Sequence, residues 1–343
     1  MENRIVKALE APASPPPPKK EKKPKGGNGA PAQDGAVAPK PASAAAPREC
    51  MANIHPGDAV RFPPEVLACV REIETVLEMP LWLIVQGEHD HRNPYNDLDY
   101  EVFDDLFELR DTLPKDKPVA LLLHTGGGDA GAAYRIARLL KVRGGFTAIV
   151  PRYAKSAGTL LALGANRIVL AQDAELGPLD AQVFDYDREE RSSALDEVHA
   201  LDRLLSFALQ AVDIGVLLVK QRSGKKIRFI LPEVQHLVTD MTRPLFEKID
   251  TVHYTQMSRI LKVAEEYAQR LLQPLYSEDK AKEIAGALVN QYPEHDFMID
   301  HHEAARIGLR TEILDEAIRP CVDKLMSALE GRTAIGQLEE VAP

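Results

Sequence analysis

Apolar and polar positions along the chain fall into two rhythms, a short one in the first part of the body and a long one after it. PLWLIVQ (80–86) and VALLLHT (119–125) are unbroken apolar runs of strand length, the pattern of parallel strands covered on both faces. FTAIVP (146–151) and RIVLA (167–171) repeat that pattern. Helical patterns lie between them: an amphipathic stretch over 98–113, another over 130–142, and KSAGTLLALGA (155–165). The small residues Ala157, Gly158 and Ala162 in the last suit a helix packed closely on its neighbours. This alternation predicts an α/β fold with a parallel sheet wrapped by helices.

From about 192 the rhythm lengthens. Helical periodicity dominates 194–213, 232–249, 253–272 and 278–290, with Pro232 and Pro274 expected near helix ends. These segments read as a helical insertion at roughly 190–290. After it, DFMID (296–300) reads as a short strand and HHEAARIGL (301–309) as a short helix stopped by Gly308. The expected division is a tail over 1–50, a core with its insertion over 51–317, and a C-terminal helix over 318–343 whose end frays beyond about 331.

Composition narrows the class. With 343 residues, 45% hydrophobic and 27% charged, the chain is not disordered throughout, collagenous or a disulfide scaffold. No uninterrupted run of about 18 apolar residues occurs, so no transmembrane segment is expected. The first ten residues carry four charges, which excludes a secretory signal there. Cys50, Cys69 and Cys321 are scattered without CxxC spacing, which fits a reducing, cytoplasmic compartment better than disulfides or zinc. Residues 11–48 hold ten of the 25 prolines and almost no large apolar side chains, so a disordered, polyproline-rich tail is expected.

Charge is unevenly spread. Residues 1–50 carry nine Lys/Arg against five Asp/Glu, a net of +4, which leaves −14 on the remainder of a chain whose total is −10. An acidic body disfavours nucleic acid as a partner. The basic run PPPPKKEKKPK (15–25) reads as a solvated linker, with nucleic acid, anionic lipid or another partner as the alternative.

Two strand ends carry candidate chemistry. At the first, LHTGGGD (123–129) runs a strand into three glycines. Without GxxxxGK[ST] or GxGxxG, a phosphate loop is the weaker reading; an oxyanion hole or a plain tight turn remain. At the second, PRYAKSAGT (151–159) sets Ser156 before a helix of small residues, either as a nucleophile favoured by the helix dipole or as a simple helix cap. Lys155 is adjacent and points elsewhere, so it is not read as the base. His89-Asp90-His91 offers too few ligands for a metal, and His301 and His302 read as solvated. Lys225 and Lys226 read as an exposed turn, and His124 as a support for the glycine turn.

Taken in order, HTGGG, AKSAGTLLALGANRIVLA, ELGPLDAQ and YPEHDFMIDHHEAARIGL resemble the serine dehydrogenase proteinase family. That family sits in the Clp protease and crotonase superfamily and is related to signal peptide peptidase A. The resemblance covers roughly 80–309. It implies a crotonase/Clp-protease-like ββα superhelix core, a serine peptidase acting on peptides or unfolded segments, and a homo-oligomer. It further implies Ser156 as nucleophile and the N–H groups of Gly127 and Ala157 as oxyanion hole. A lysine base is not available, because no lysine lies between Ser156 and Lys220. His295 is the candidate base, with Asp180 or Asp296 orienting it; His199 is a weaker alternative. A catalytically silent binding or scaffold member is a second reading. An acyl-CoA enzyme using Glu175 and Asp180 is a third. No nicotinamide or pyridoxal motif is present, and no cofactor or metal is expected.

Overall fold

The computed structural model describes residues 50–54, 61–87, 95–180, 182–185 and 190–340. Residues 1–49 of the tail expected over 1–50 and the His89-Asp90-His91 cluster lie outside these residues, while Cys50 belongs to the first strand.

The described chain runs β1 (Cys50–Ile54), α1 (Pro64–Leu77), β2 (Leu81–Val85), α2 (Tyr100–Glu108), a 3-10 turn (Leu109–Asp111), β3 (Val119–His124), α3 (Ala130–Arg143) and β4 (Phe146–Val150). It continues with β5 (Tyr153–Ala154), α4 (Ala157–Leu163), β6 (Arg167–Leu170), β7 (Glu175–Leu176), β8 (Gln182–Asp185) and β9 (Glu190–Ser193). Next come the long helices α5 (Ala194–Ser223), α6 (Ile227–Phe246), α7 (Thr251–Leu272) and α8 (Glu278–Asn290). The chain closes with α9 (His301–Ile307), β10 (Glu312–Ile313), α10 (Arg319–Ala328) and β11 (Ala334–Glu340).

One sheet organises the molecule, in the order β1-β11-β2-β3-β4-β6-β10. The five strands from β2 to β10 are parallel neighbours, while β11 runs antiparallel between β1 and β2. The apolar run of β3 shows why both faces had to be covered. Leu121 and Leu123 join Trp82, Ile84 and Val150 in the core under α2, α3, α4, α7 and α8. Ala120 and Leu122 join Leu83 and Ile149 in a second core under α1 and α10. Side chains alternate across the strand, so an unbroken apolar sequence feeds two layers at once.

Three details differ from the expectation. The fraying expected beyond about 331 is not found through Glu340: β11 pairs with β1 and β2, with Ala334, Ile335 and Leu338 buried. Its sequence AIGQLEE lacks a strong strand pattern; its place comes from partners far away in the chain. DFMID forms no strand, and only Ile299 bridges Leu176. Pro232 is not at a helix end either: it and Pro244 lie inside α6, each removing one backbone donor there.

The long helices correct a fourth point. α5 extends ten residues past its expected end and holds an 18-residue window of mean hydropathy 1.5, long and apolar enough by composition to cross a membrane. Ser206, Gln210 and the single charge at Asp213 interrupt the stretch from Leu204 to Val219, and a search for uninterrupted apolar runs misses it for that reason.

Candidate active site

The loop after β3 and the turn before α4 are built against each other. Thr125 N–H donates to Tyr153 O (3.2 Å), and Lys155 N–H donates back to Thr125 O (3.0 Å). The Thr125 hydroxyl is hydrogen-bonded to the Gln86 side chain, and the Gly127 N–H donates to it at 3.0 Å. Gly128 has φ +145°, and a Cβ there would stand 2.5 Å from both N and O of Leu98, so no other residue fits. A Cβ on Gly127 would lie 3.1 Å from the Ser156 Cβ, which places the glycine loop directly beside the serine.

Ser156 adopts φ +46° and ψ −112°, a conformation that non-glycine residues rarely hold. Its side chain makes no capping hydrogen bond to α4, so the simple helix-cap reading fails. The helix is held instead by Thr159, whose hydroxyl lies 2.7 Å from Ala154 O and accepts from Gly177 N–H at 2.9 Å. The small residues do what their size suggests: a Cβ on Gly158 would sit 2.5 Å from Thr125 Cγ2.

A cavity of about 1470 Å³ opens over these two turns, and Gly127, Ser156, Ala157, Asp180 and His295 all line it. Thus Ser156, His295, Asp180, Gly127 and Ala157 all line one cavity, although 295 and 156 are far apart in sequence. Asp180 is buried, and that burial pushes its carboxyl above the usual range, against hydrogen bonds from the Ser193 hydroxyl and Leu195 N–H and the charge of nearby His295. The Nδ1 atom of His295 is buried without a hydrogen-bond partner. Neither Ser156 nor Asp180 is hydrogen-bonded to that ring.

The N–H groups of the candidate oxyanion hole differ in what they already bind. The Gly127 N–H is already committed to Thr125, whereas the N–H groups of Gly128 and Ala157 donate to no protein acceptor among the described residues. Gly127 lies nearer the serine, and Gly128 has the unengaged N–H of the loop. Lys155 is engaged elsewhere, with its ammonium 2.8 Å from Glu175 and 3.4 Å from Asp296 O. That ion pair also occupies Glu175, one of the two carboxylates of the acyl-CoA reading. His199 lines a separate groove on α5 with Asp202 and Arg203, away from the serine. The His124 ring packs on Tyr153 at 4.1 Å between ring centres with a tilt of 53°, and burial lowers its pKa to about 4.

The structure adds residues that the sequence did not single out. Asp97, Asp99 and Tyr100 form one rim of the cavity, and Met257, Arg259 and Tyr267 of α7 form another. Tyr267 stacks on Tyr134 of α3 at 4.2 Å, which fixes α7 over the sheet. The insertion is thus a wall of the site. The helical period of 253–272 was legible, but which face would meet the cavity was not.

Residues 98–225 match the family described as ClpP-like SDH-type serine proteinase. That match takes in the glycine loop, Ser156 and Asp180 and agrees there with the resemblance carried by the sequence motifs. Two proteins of Methanocaldococcus jannaschii are similar over 197 residues. Uncharacterized protein MJ0137 is 32% identical, covering 57% of this chain and 54% of that protein. Uncharacterized protein MJ1495 is 27% identical, covering 57% and 52%. The chain spans about half the length of the curated relatives it matches. Among solved structures, an alanine mutant of 1510-N membrane-bound stomatin-specific protease aligns with TM-score 0.39 and 13% identity, covering 73% of this chain and 84% of that one. A ClpP1 mutant from Listeria monocytogenes aligns with TM-score 0.33 and 12% identity, covering 73% and 98%.

Proposed function

We propose that the chain is a serine peptidase that works through an acyl-enzyme on Ser156, with His295 as base. The observation that carries this reading is the serine itself: held at φ +46°, free of any capping bond, and beside a glycine loop in a large cavity. Strain of that kind persists only where surrounding structure imposes it. In the reaction, Ser156 Oγ attacks the scissile carbonyl carbon while its proton passes to the His295 ring. The oxyanion accepts from the N–H groups of Gly128 and Ala157. As the C–N bond breaks, His295 returns the proton to the leaving amine, and water then releases the acyl group by the same steps in reverse. Asp180 biases the ring through its charge.

The substrate class is peptides or unfolded segments. The cavity holds several residues' worth of extended chain but is walled by α7, which disfavours a folded protein. Assembly into a homo-oligomer is part of the proposal.

One observation favours a silent binding member instead, namely the absence of a hydrogen bond joining Ser156 Oγ to His295. Such bonds often tighten only with substrate present. Intact-mass labelling with a fluorophosphonate decides between the two. One adduct on the wild type and none on Ser156→Ala is the expected result; a folded wild type that takes no adduct establishes the silent reading.

A further inference from the structure

Away from the cavity, the hairpin of α5 and α6 has chemistry that the peptidase reading does not use. Its helices bury Ile230, Val234 and Val238 against Ala208, Ala211, Val212 and Val216. Gly215 makes this approach possible, since a Cβ there would meet Val234 at 2.7 Å. A second apolar set faces outward near the turn at Gly224. Ile214, Leu217, Ile227 and Phe229 are all exposed, Leu217 to 65% and Phe229 to 60%. Exposed apolar residues continue along both helices, at Leu205, Phe207 and Leu209 on α5 and at Leu237, Met241 and Leu245 on α6, so the hairpin presents an apolar face larger than scattered single side chains, and its tip is where that face meets a run of cations.

The same turn is strongly basic. Between 214 and 232 the chain carries Lys220, Arg222, Lys225, Lys226 and Arg228 and no carboxylate, within a protein of net charge −10. All five are exposed, and none forms an ion pair with another described residue. The Arg228 guanidinium lies over the Phe229 ring at 4.6 Å. Cations interleaved with bulky apolar side chains on an amphipathic element match the interface of an anionic bilayer, where headgroups meet acyl chains.

We propose that the tip of the α5–α6 hairpin docks on an anionic membrane surface. The five cations engage lipid headgroups, while Leu217, Ile227 and Phe229 enter the acyl boundary. The hairpin lies at the surface and does not span. Asp213 sits within the apolar stretch of α5, and Glu233, Asp240 and Arg243 are exposed on α6, so insertion would strand charge in hydrocarbon. A second copy, which exposes Leu205, Phe207, Leu209, Leu237 and Met241 on its own hairpin, is the competing occupant; the five cations beside the turn favour an anionic headgroup layer over another basic tip. Docking would hold the Ser156 cavity near lipid and favour segments close to the bilayer as substrates. The docking itself does not rest on catalysis at Ser156.

The test is co-sedimentation of the full chain with vesicles of phosphatidylcholine alone or with about one third phosphatidylglycerol, at low and high salt. Binding to the anionic vesicles only, weakened by salt, is expected. The triple variant Lys225→Glu, Lys226→Glu, Arg228→Glu should lower the partition coefficient by about tenfold or more. Leu217→Ser with Phe229→Ser should lower it while the charge stays unchanged. A tail variant with Lys19, Lys20, Lys22, Lys23 and Lys25 all changed to Gln should bind as the wild type does. Equal binding to both vesicles, no binding, or loss confined to the tail variant overturns the proposal. So does a concentration-dependent dimer in light scattering that the hairpin variants abolish, which would make a second copy the occupant. Fluorophosphonate labelling and circular dichroism of each variant confirm that the site and the fold are intact.

Discussion

The ammonium of Lys155 lies 2.8 Å from the carboxylate of Glu175, and both side chains are largely buried, at 13% and 22% exposed. The residue preceding the candidate nucleophile is therefore part of the frame. Removing one partner leaves the other charge partly desolvated, so Lys155→Met should cost about 1–2 kcal/mol. The double variant with Glu175→Gln should recover much of that loss in urea titrations. Fluorophosphonate labelling of the double variant should stay within a few-fold of wild type; its complete loss would instead make Lys155 the base.

Two glycines at positive φ should behave very differently. At Gly128 (φ +145°) an added methyl meets the Leu98 backbone, which cannot give way as a flexible side chain can. At Gly224 (φ +65°) nothing lies within 4 Å. Gly224→Ala should therefore cost only about 1 kcal/mol of left-handed strain. Gly128→Ala should cost at least twice that and abolish labelling, because the loop beside Ser156 must move. Thermal unfolding of the pair, with labelling of each, checks both statements.

His124 predicts a pH dependence of stability. Its pKa in the folded protein is about 4, chiefly through burial, with Arg152 adding repulsion. The unfolded chain binds this proton more tightly, so the contribution to stability is present above pH 6.5 and lost as pH falls toward 4. The shift sets a ceiling of about 3 kcal/mol. His124→Phe keeps an aromatic ring against Tyr153 and removes the titration. Its advantage over wild type in urea midpoint should grow steadily from pH 7 to pH 4.5; a constant difference would refute the assignment.

The C-terminal strand should be essential. β11 fills the gap between β1 and β2, and Ile335 is 1% exposed there. Deleting 332–343 would bare the edge of β2, whose neighbouring side chains are apolar, and open the second core. The truncated chain should be recovered as aggregate, whereas Glu340→Ala, at an exposed position, should leave the midpoint within about 0.5 kcal/mol of wild type.

What could be read from sequence followed from how local the cause was. The apolar runs of β2, β3, β4 and β6 announced a doubly covered parallel sheet because each run had to be buried on both faces. The motifs around Gly127 and Ser156 were legible for the same reason, since each turn is determined by its own residues and one contact across. β11 was not legible, because AIGQLEE becomes a strand only through partners nearly 250 and 290 residues away. The hydrogen bond from the Gly127 N–H to Thr125 also escaped sequence reasoning, since it depends on where the Thr125 hydroxyl points. The wall supplied by α7 could not be inferred either: periodicity gives a helix its apolar stripe but not the neighbour it will meet.

His295 carries the sharpest remaining test of the site. It lines the Ser156 cavity, and its Nδ1 is buried without a partner while the Asp180 carboxylate acts on the ring through charge. A base in that place should raise the rate of fluorophosphonate labelling by about 10²-fold or more. His295→Ala should lower the rate by that factor, with Ser156 still present and the unfolding midpoint little changed. Asp180→Asn should have a smaller effect on the rate and a stabilising one at neutral pH, because it removes a buried carboxylate whose pKa burial has raised. That stabilisation should shrink as pH falls and Asp180 is protonated in the wild type. His199→Ala, on the outer groove of α5, should label at the wild-type rate. If His199→Ala loses labelling while His295→Ala keeps it, the base lies elsewhere and must reach Ser156 through a rearrangement of α5.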